Sequence, residues 1–72
     1  MTKKQYFLFN STQDAIKSER ICREAGIPVT VVPVPRELSS ECGIAMESGP
    51  EVLSAVKEIL KRNHIPFRHA EI

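Results

Sequence analysis

A chain of 72 residues has room for one small domain, near the size at which a single apolar core only just offsets the entropy of ordering the chain. Ten basic residues stand against nine acidic ones, a net charge of +1, and 42% hydrophobic with 26% charged residues is the make-up of an ordinary globular protein. So even a balance argues against nucleic acid as a partner, because binding through phosphates needs a clustered basic surface. Lys57, Lys61, Arg62, His64, Arg68 and His69 do thicken the basic content late in the chain; favourable charge at a helix C-terminus and solvated strand positions account for them. No stretch approaches the roughly 20 apolar residues of a membrane span, and Met1-Thr2-Lys3-Lys4 leads into a strand rather than a signal-peptide core. The expected location is the cytoplasm, with no membrane partner. Cys22 and Cys42 form no CxxC or other metal-ligand spacing, which excludes a zinc site and a disulfide scaffold and leaves two thiols.

The first element is a strand over Gln5-Tyr6-Phe7-Leu8-Phe9-Asn10, apolar on both faces and therefore central in its sheet. Ser11 is a good N-cap with Asp14 three residues on, close to a capping box, and opens a helix that runs to about Ala25. Its inward stripe is Ala15, Cys22 and Ala25 beside Ile16 and Ile21, and Gly26 stops it. Val29-Thr30-Val31-Val32 is a β-branched second strand, closed by Pro33 and Pro35. After a polar loop, Cys42-Gly43-Ile44-Ala45-Met46-Glu47 makes a third strand with Cys42, Ile44 and Met46 on one face. Pro50 at a first helical position, followed by Glu51, opens a second helix in which Val52, Leu53, Val56, Ile59 and Leu60 repeat at the helical period. Ile65 to Ile72 reads as a last, edge strand in which Pro66 is tolerable.

The order βαββαβ, without a linker, predicts one α+β domain over residues 1–72 of ferredoxin-like topology: a four-stranded antiparallel sheet, order 4-1-3-2, with two helices on one face. In that arrangement the end of the first strand, the start of the first helix and the start of the third strand share one edge, which brings Cys42 close to Asn10, Ser11 and Thr12. A thiol facing the free N–H groups of the first helical turn, with Arg36 in reach, has its thiolate favoured, and Gly43 lets a ligand approach closely. Against this stands Cys42 as small apolar filler with Gly43 marking a β-bulge, and on sequence alone the two readings are level. Cys22 reads as filler from its helical spacing. Arg36, Ser39 and Ser40 offer donors to a small oxyanion, although a solvated turn anchored by Leu38 and stiffened by Pro33 and Pro35 explains them as well. His64 belongs near the same edge and reads as a surface residue at a helix end; His69 lies further along the last strand. No Ser/His/Asp set, carboxylate pair or metal cluster is present in the sequence.

The segment Pro33-Val34-Pro35-Arg36-Glu37-Leu38-Ser39-Ser40-Glu41-Cys42-Gly43, with the helix opening Ser11-Thr12-Gln13-Asp14-Ala15 and the turn Ala25-Gly26-Ile27-Pro28, resembles the small bacterial selenium/sulfur carrier-like proteins, formerly a domain of unknown function. The resemblance runs from about Tyr6 to Ala70. It implies that Cys42 is a carrier thiol with Gly43, Arg36 and Pro35 as motif neighbours, that no cofactor is needed, and that the partners are donor and acceptor proteins for sulfur or selenium. The chain lacks the Cys-Pro-x-Pro segment of other small sulfur-carrier domains. On this reading the protein is a thiol-based carrier rather than a classical enzyme, although a rhodanese-like transfer step is a third reading. The alternative is a non-enzymatic ligand-binding or regulatory module, pairing as a homodimer through an open sheet face where Gly43 and Ala45 offer a flat area.

Overall fold

The computed structural model describes residues 4–38 and 43–71. In chain order they form β1 (Gln5–Leu8), α1 (Thr12–Glu24), β2 (Thr30–Pro33), β3 (Ile44–Ser48), a 3-10 turn over Pro50–Val52, α2 (Leu53–Arg62) and β4 (Arg68–Glu71). The sheet order is β2-β3-β1-β4 with every neighbouring pair antiparallel, which is the expected ferredoxin-like order read from its other edge. The two inner strands are β1 and β3.

Alternation along β1 divides the core. Phe7, with Phe9 beyond the strand, and Met46 of β3 pack against Ala15 and Cys22 of α1 and Val56 and Leu60 of α2, while Tyr6, Leu8 and Ala45 lie on the other face of the sheet. Both helices therefore cover one face, as expected. Phe7 meets Phe67 edge to face with ring centroids 5.5 Å apart. Full burial of side chains such as Phe7, Met46 and Leu60 contributes about 1.5–3 kcal/mol each.

The buried stripe of α1 is Ala15, Ser18 and Cys22 rather than the expected set. Ile16 is 55% exposed and Ala25 is exposed. Spacings of three and four keep 15, 18 and 22 in line, and Ile16 stands about 100° around the axis from Ala15. Ser18 is tolerated inside because its hydroxyl donates to the Asp14 carbonyl at 2.7 Å. Burial of polar Gln5 in the middle of the sheet is handled in the same way. Its amide nitrogen donates to the Glu71 carboxylate at 2.9 Å, and its oxygen accepts from Nε2 of His69. Burial, and then the charge of Lys57, lower the pKa of His69, against an opposing pull from Glu71.

Strand ends shift from the expected bounds for identifiable reasons. β2 starts at Thr30 and includes Pro33, whose missing N–H is harmless because β2 is an edge strand. β3 starts at Ile44 because Gly43 has φ +76, outside any strand conformation. β4 begins only at Arg68, since the Ile65 N–H is bonded to the Leu60 carbonyl and Pro66 has none to give. β1 ends at Leu8, two residues short of Asn10, leaving Phe9 and Asn10 to lead into the Ser11 cap.

Both helices end in the same device. At α1, Gly26 (φ +78) donates to the Arg23 carbonyl at 3.0 Å and Ile27 to that of Cys22 at 2.9 Å; at α2, His64 (φ +57) donates to Lys61 at 3.1 Å and Ile65 to Leu60 at 3.0 Å. These are two Schellman motifs, each followed by proline, at Pro28 and Pro66. A shift of 38 residues carries Thr12–Glu24 onto Pro50–Arg62 and Thr30–Pro33 onto Arg68–Glu71, so the chain is two copies of one βαβ unit. Only the second copy places a side chain in the left-handed position, at a cost of about 1 kcal/mol. His64→Gly is accordingly expected to stabilise the protein by roughly 0.5–1 kcal/mol and Gly26→Ala to destabilise it by a similar amount, read from urea unfolding midpoints. A lowered midpoint for His64→Gly would show that the imidazole makes a compensating contact.

Candidate functional site

Arg68, Leu8, Ala45 and Val32 stand side by side across the four strands, on the face away from the helices. This row marks the end of the sheet at which β1 stops, β3 starts and α1 begins. Extending the β1–β3 register by two residues brings Gly43 alongside Asn10, the residue before Ser11. The return from α2 into β4 arrives at the same end, because Arg68 pairs with Leu8; His64, in that return, is exposed.

The connection from β2 to β3 has a fixed root and a fixed first half. Val34 donates to the Gly43 carbonyl at 3.2 Å, continuing the ladder one residue past the Pro33–Ile44 pair. Leu38 donates to the Pro35 carbonyl at 2.9 Å, a β-turn with Arg36 and Glu37 at its exposed corner. Val34 and Leu38 pack on Tyr6, Leu8 and Ala45 together with Val32, so the loop folds back over the sheet face that the helices leave open. Leu38 is the anchor the sequence suggested. Ala45 is fully buried beneath this layer, and Leu8 and Tyr6 nearly so, which removes the flat area expected at Ala45.

Gly43 is exposed, and a Cβ there would meet nothing within 4 Å. Its requirement is conformational: φ +76 is costly for any other residue by about 1–2 kcal/mol. Ser11 is an N-cap whose Oγ accepts the Asp14 N–H at 3.1 Å, so its hydroxyl serves the helix end. Thr12, the first residue of α1, is exposed, and so is Arg36. The structure thus gathers Ser11, Thr12 and Gly43 at one end of the sheet and sets Arg36 on the loop rooted there. The expectations for Ser39, Ser40 and Cys42 lie outside the described residues.

Cys22 is the opposite case. It is completely buried in the helix-side core, and burial raises its thiol pKa. That makes it a neutral core thiol, as its helical spacing suggested.

One group under the loop has no obvious signal in the sequence. Tyr6 is buried on the loop side of the sheet, and its pKa is raised, first by burial, then by its hydrogen bond to Glu47 and the negative charges of Glu47 and Glu37. Glu47 also faces Lys4 at 3.7 Å. Only the antiparallel register, which sets Tyr6 directly opposite Glu47, brings the two together. Among the described residues, no group of three His, Cys, Asp or Glu could hold a metal ion, and no helix is long and apolar enough to cross a membrane.

A family model described as "Putative Se/S carrier protein-like" matches residues 4–70. The chain belongs to this family. The matched span includes the whole segment from Pro33 to Gly43, and with it Cys42. Among curated proteins and solved structures the chain finds no match. The fold on which this Se/S carrier-like chain builds its loop is α+β and ferredoxin-like.

Tyr6 yields a pH test. Its folded-state pKa lies above the ordinary value of 10.0, so the stability it contributes is full below that value and is lost as pH rises through the raised one. Unfolding free energy should fall with pH in that alkaline window, and Tyr6→Phe should flatten the fall; an equal slope in the variant overturns the assignment. Gly43→Ala should cost about 1–2 kcal/mol in chemical denaturation through backbone strain, with no loss attributable to packing.

Proposed function

We propose that this protein carries sulfur or selenium on the thiol of Cys42, at the entry to β3. The observation that carries the reading is the family match across residues 4–70, which spans the Cys-Gly segment. Burial of Cys22 supports it, because a donor cannot reach a thiol enclosed between helices and sheet. The first turn of α1, capped by Ser11 and opened by Thr12, supplies partial positive charge at this end of the sheet. Arg36, Ser39 and Ser40 are the proposed loop donors, and Gly43 the proposed close-approach residue.

Loading is an exchange that balances without an oxidant. The Cys42 thiolate attacks the outer sulfur of a donor persulfide; a new S–S bond forms, the donor's S–S bond breaks, and the donor cysteine leaves as thiolate with the electron pair. Delivery is the same step with an acceptor thiolate attacking the outer atom. A selenium atom in the outer position follows the same course. Partners are therefore a donor protein and an acceptor protein, and a reducing compartment such as the cytoplasm keeps the resting thiol free.

Intact-mass spectrometry after incubation with a persulfide donor, or with a donor that holds selenium in the outer position of an S–Se bond, should show a gain of one chalcogen atom in the native chain and in Cys22→Ser, but none in Cys42→Ser. Iodoacetamide should label Cys42 in the folded protein with an apparent pKa below that of a free cysteine peptide, while Cys22 is labelled only after unfolding. A gain that persists in Cys42→Ser, or two unreactive thiols in the native state, overturns the proposal.

A further inference from the structure

Ile16 is the one large apolar side chain among the described residues that lies exposed. A single exposed aliphatic group needs no explanation by itself. Its surroundings on α1 are what set it apart. Lys17 follows it directly and Arg20 stands one turn on, both exposed. Among the described residues, neither has a carboxylate within ion-pair distance. Elsewhere on the helices such cations are paired: Glu19 holds Arg23 at 3.2 Å, and Glu58 holds Arg62 at 2.8 Å. Glu24 closes α1 a further turn beyond Arg20. The second turn of α1 therefore presents an apolar centre flanked by two cations, whose aliphatic stems can extend the apolar area while their heads stay in water. An apolar anchor with a charged rim is the anatomy of a small transient protein interface.

The place of this patch in the fold gives it a use. Thr12, at the start of α1, stands four residues before Ile16, about 6 Å along the helix axis. That start lies at the end of the sheet where Gly43 leads into β3, so a partner seated on Ile16 reaches the end from which Cys42 is approached.

The chemistry of the patch selects its occupant. Cations without carboxylates of their own favour an acidic partner. Nucleic acid would use the cations but gain nothing from the apolar centre. A bilayer surface needs a whole apolar stripe, and α1 exposes one large apolar side chain. We infer that the outer face of α1, Ile16 with Lys17 and Arg20, docks a protein whose contact surface is an apolar side chain ringed by carboxylates. The role of that protein, as donor or acceptor of the sulfur or selenium atom, rests on the carrier reading of Cys42; the docking surface itself does not use the thiol.

Two synthetic peptides of equal length test the inference, each with a central leucine and no cysteine, one flanked by glutamates and the other by lysines. Titrated into the full chain, the acidic peptide should shift the amide signals of Thr12, Gln13, Ile16, Lys17 and Arg20 saturably, with Kd on the order of 1 mM, and the basic one should not. Ile16→Ser, Lys17→Glu and Arg20→Glu should each weaken the acidic peptide about fivefold or more. Lys4→Glu, the same change of charge at the start of β1 and the far end of the sheet, should leave its affinity unchanged. All four positions are exposed, so the variants keep the fold. When the acidic peptide is given a cysteine persulfide, the three α1 variants should load Cys42 more slowly by a similar factor, while loading by free cysteine persulfide keeps its native rate. Absence of saturable shifts, equal binding of the basic peptide, undiminished affinity in Ile16→Ser, or tighter binding to DNA or to anionic phospholipid vesicles than to the acidic peptide overturns the inference. Saturable binding of the acidic peptide with no sulfur uptake by Cys42 upholds the docking surface and overturns the carrier reading instead.

Discussion

The whole molecule hangs on β1, in which Gln5, Tyr6, Phe7 and Leu8 are all buried. A strand flanked on both edges by β3 and β4 and buried along its whole length keeps its side chains from water, so each must find a partner of its own kind. Phe7 takes the helix-side core and Leu8 the loop-side layer. Gln5 and Tyr6, which carry polar atoms into that position, take His69 and Glu71 in one case and Glu47 in the other. A small domain with two helices can cover only one face of its sheet. The segment from Val34 to Leu38 covers part of the second, and so the loop that leads toward Cys42 is part of the fold as well as the bearer of the proposed chemistry.

That double duty constrains the site. Val34 and Gly43 pin the loop's two ends together and Leu38 pins its first half, so the segment between Leu38 and Gly43 starts and ends at defined points. The left-handed Gly43 turns the chain from that segment into the inner strand β3.

Most of the architecture was legible in the residues. The apolar run Tyr6-Phe7-Leu8-Phe9, the Ser11 cap, the Gly26 stop and the period of Val56, Ile59 and Leu60 act locally and each led to its element, although β1 closes at Leu8 and the second helix, expected from Pro50, opens with a 3-10 turn over Pro50–Val52 before α2 starts at Leu53. The edges of the strands were less legible because they depend on hydrogen bonds made elsewhere: Ile65 is drawn into closing α2, and Pro33 is admitted to β2 only because that strand lies at an edge. The inward set of α1 went wrong at Ile16, which the helix angle turns outward, and at Ala25, which lies past the end of α1 as its C-cap, while Ser18 was hidden by its polarity. At the candidate site, the gathering of Ser11, Thr12 and Gly43 followed from topology. The Tyr6–Glu47 contact did not, since register alone decides which residues of two distant strands face each other. The duplication was also obscured: its two copies share helix ends and prolines but not the residues that cap and fill them.

Cys22 has a consequence beyond the core it fills. A persulfide is open to a second thiol, which can attack the inner sulfur, expel the cargo as sulfide and leave a disulfide behind. A small chain that carries its cargo on one of two cysteines, as proposed for Cys42, runs that risk of discharging itself. Enclosure of Cys22 between α1 and the sheet, with its thiol held protonated by burial, makes it a poor attacker on both counts, access and thiolate fraction. The second cysteine is thus compatible with a long-lived cargo because the fold keeps it out of solution.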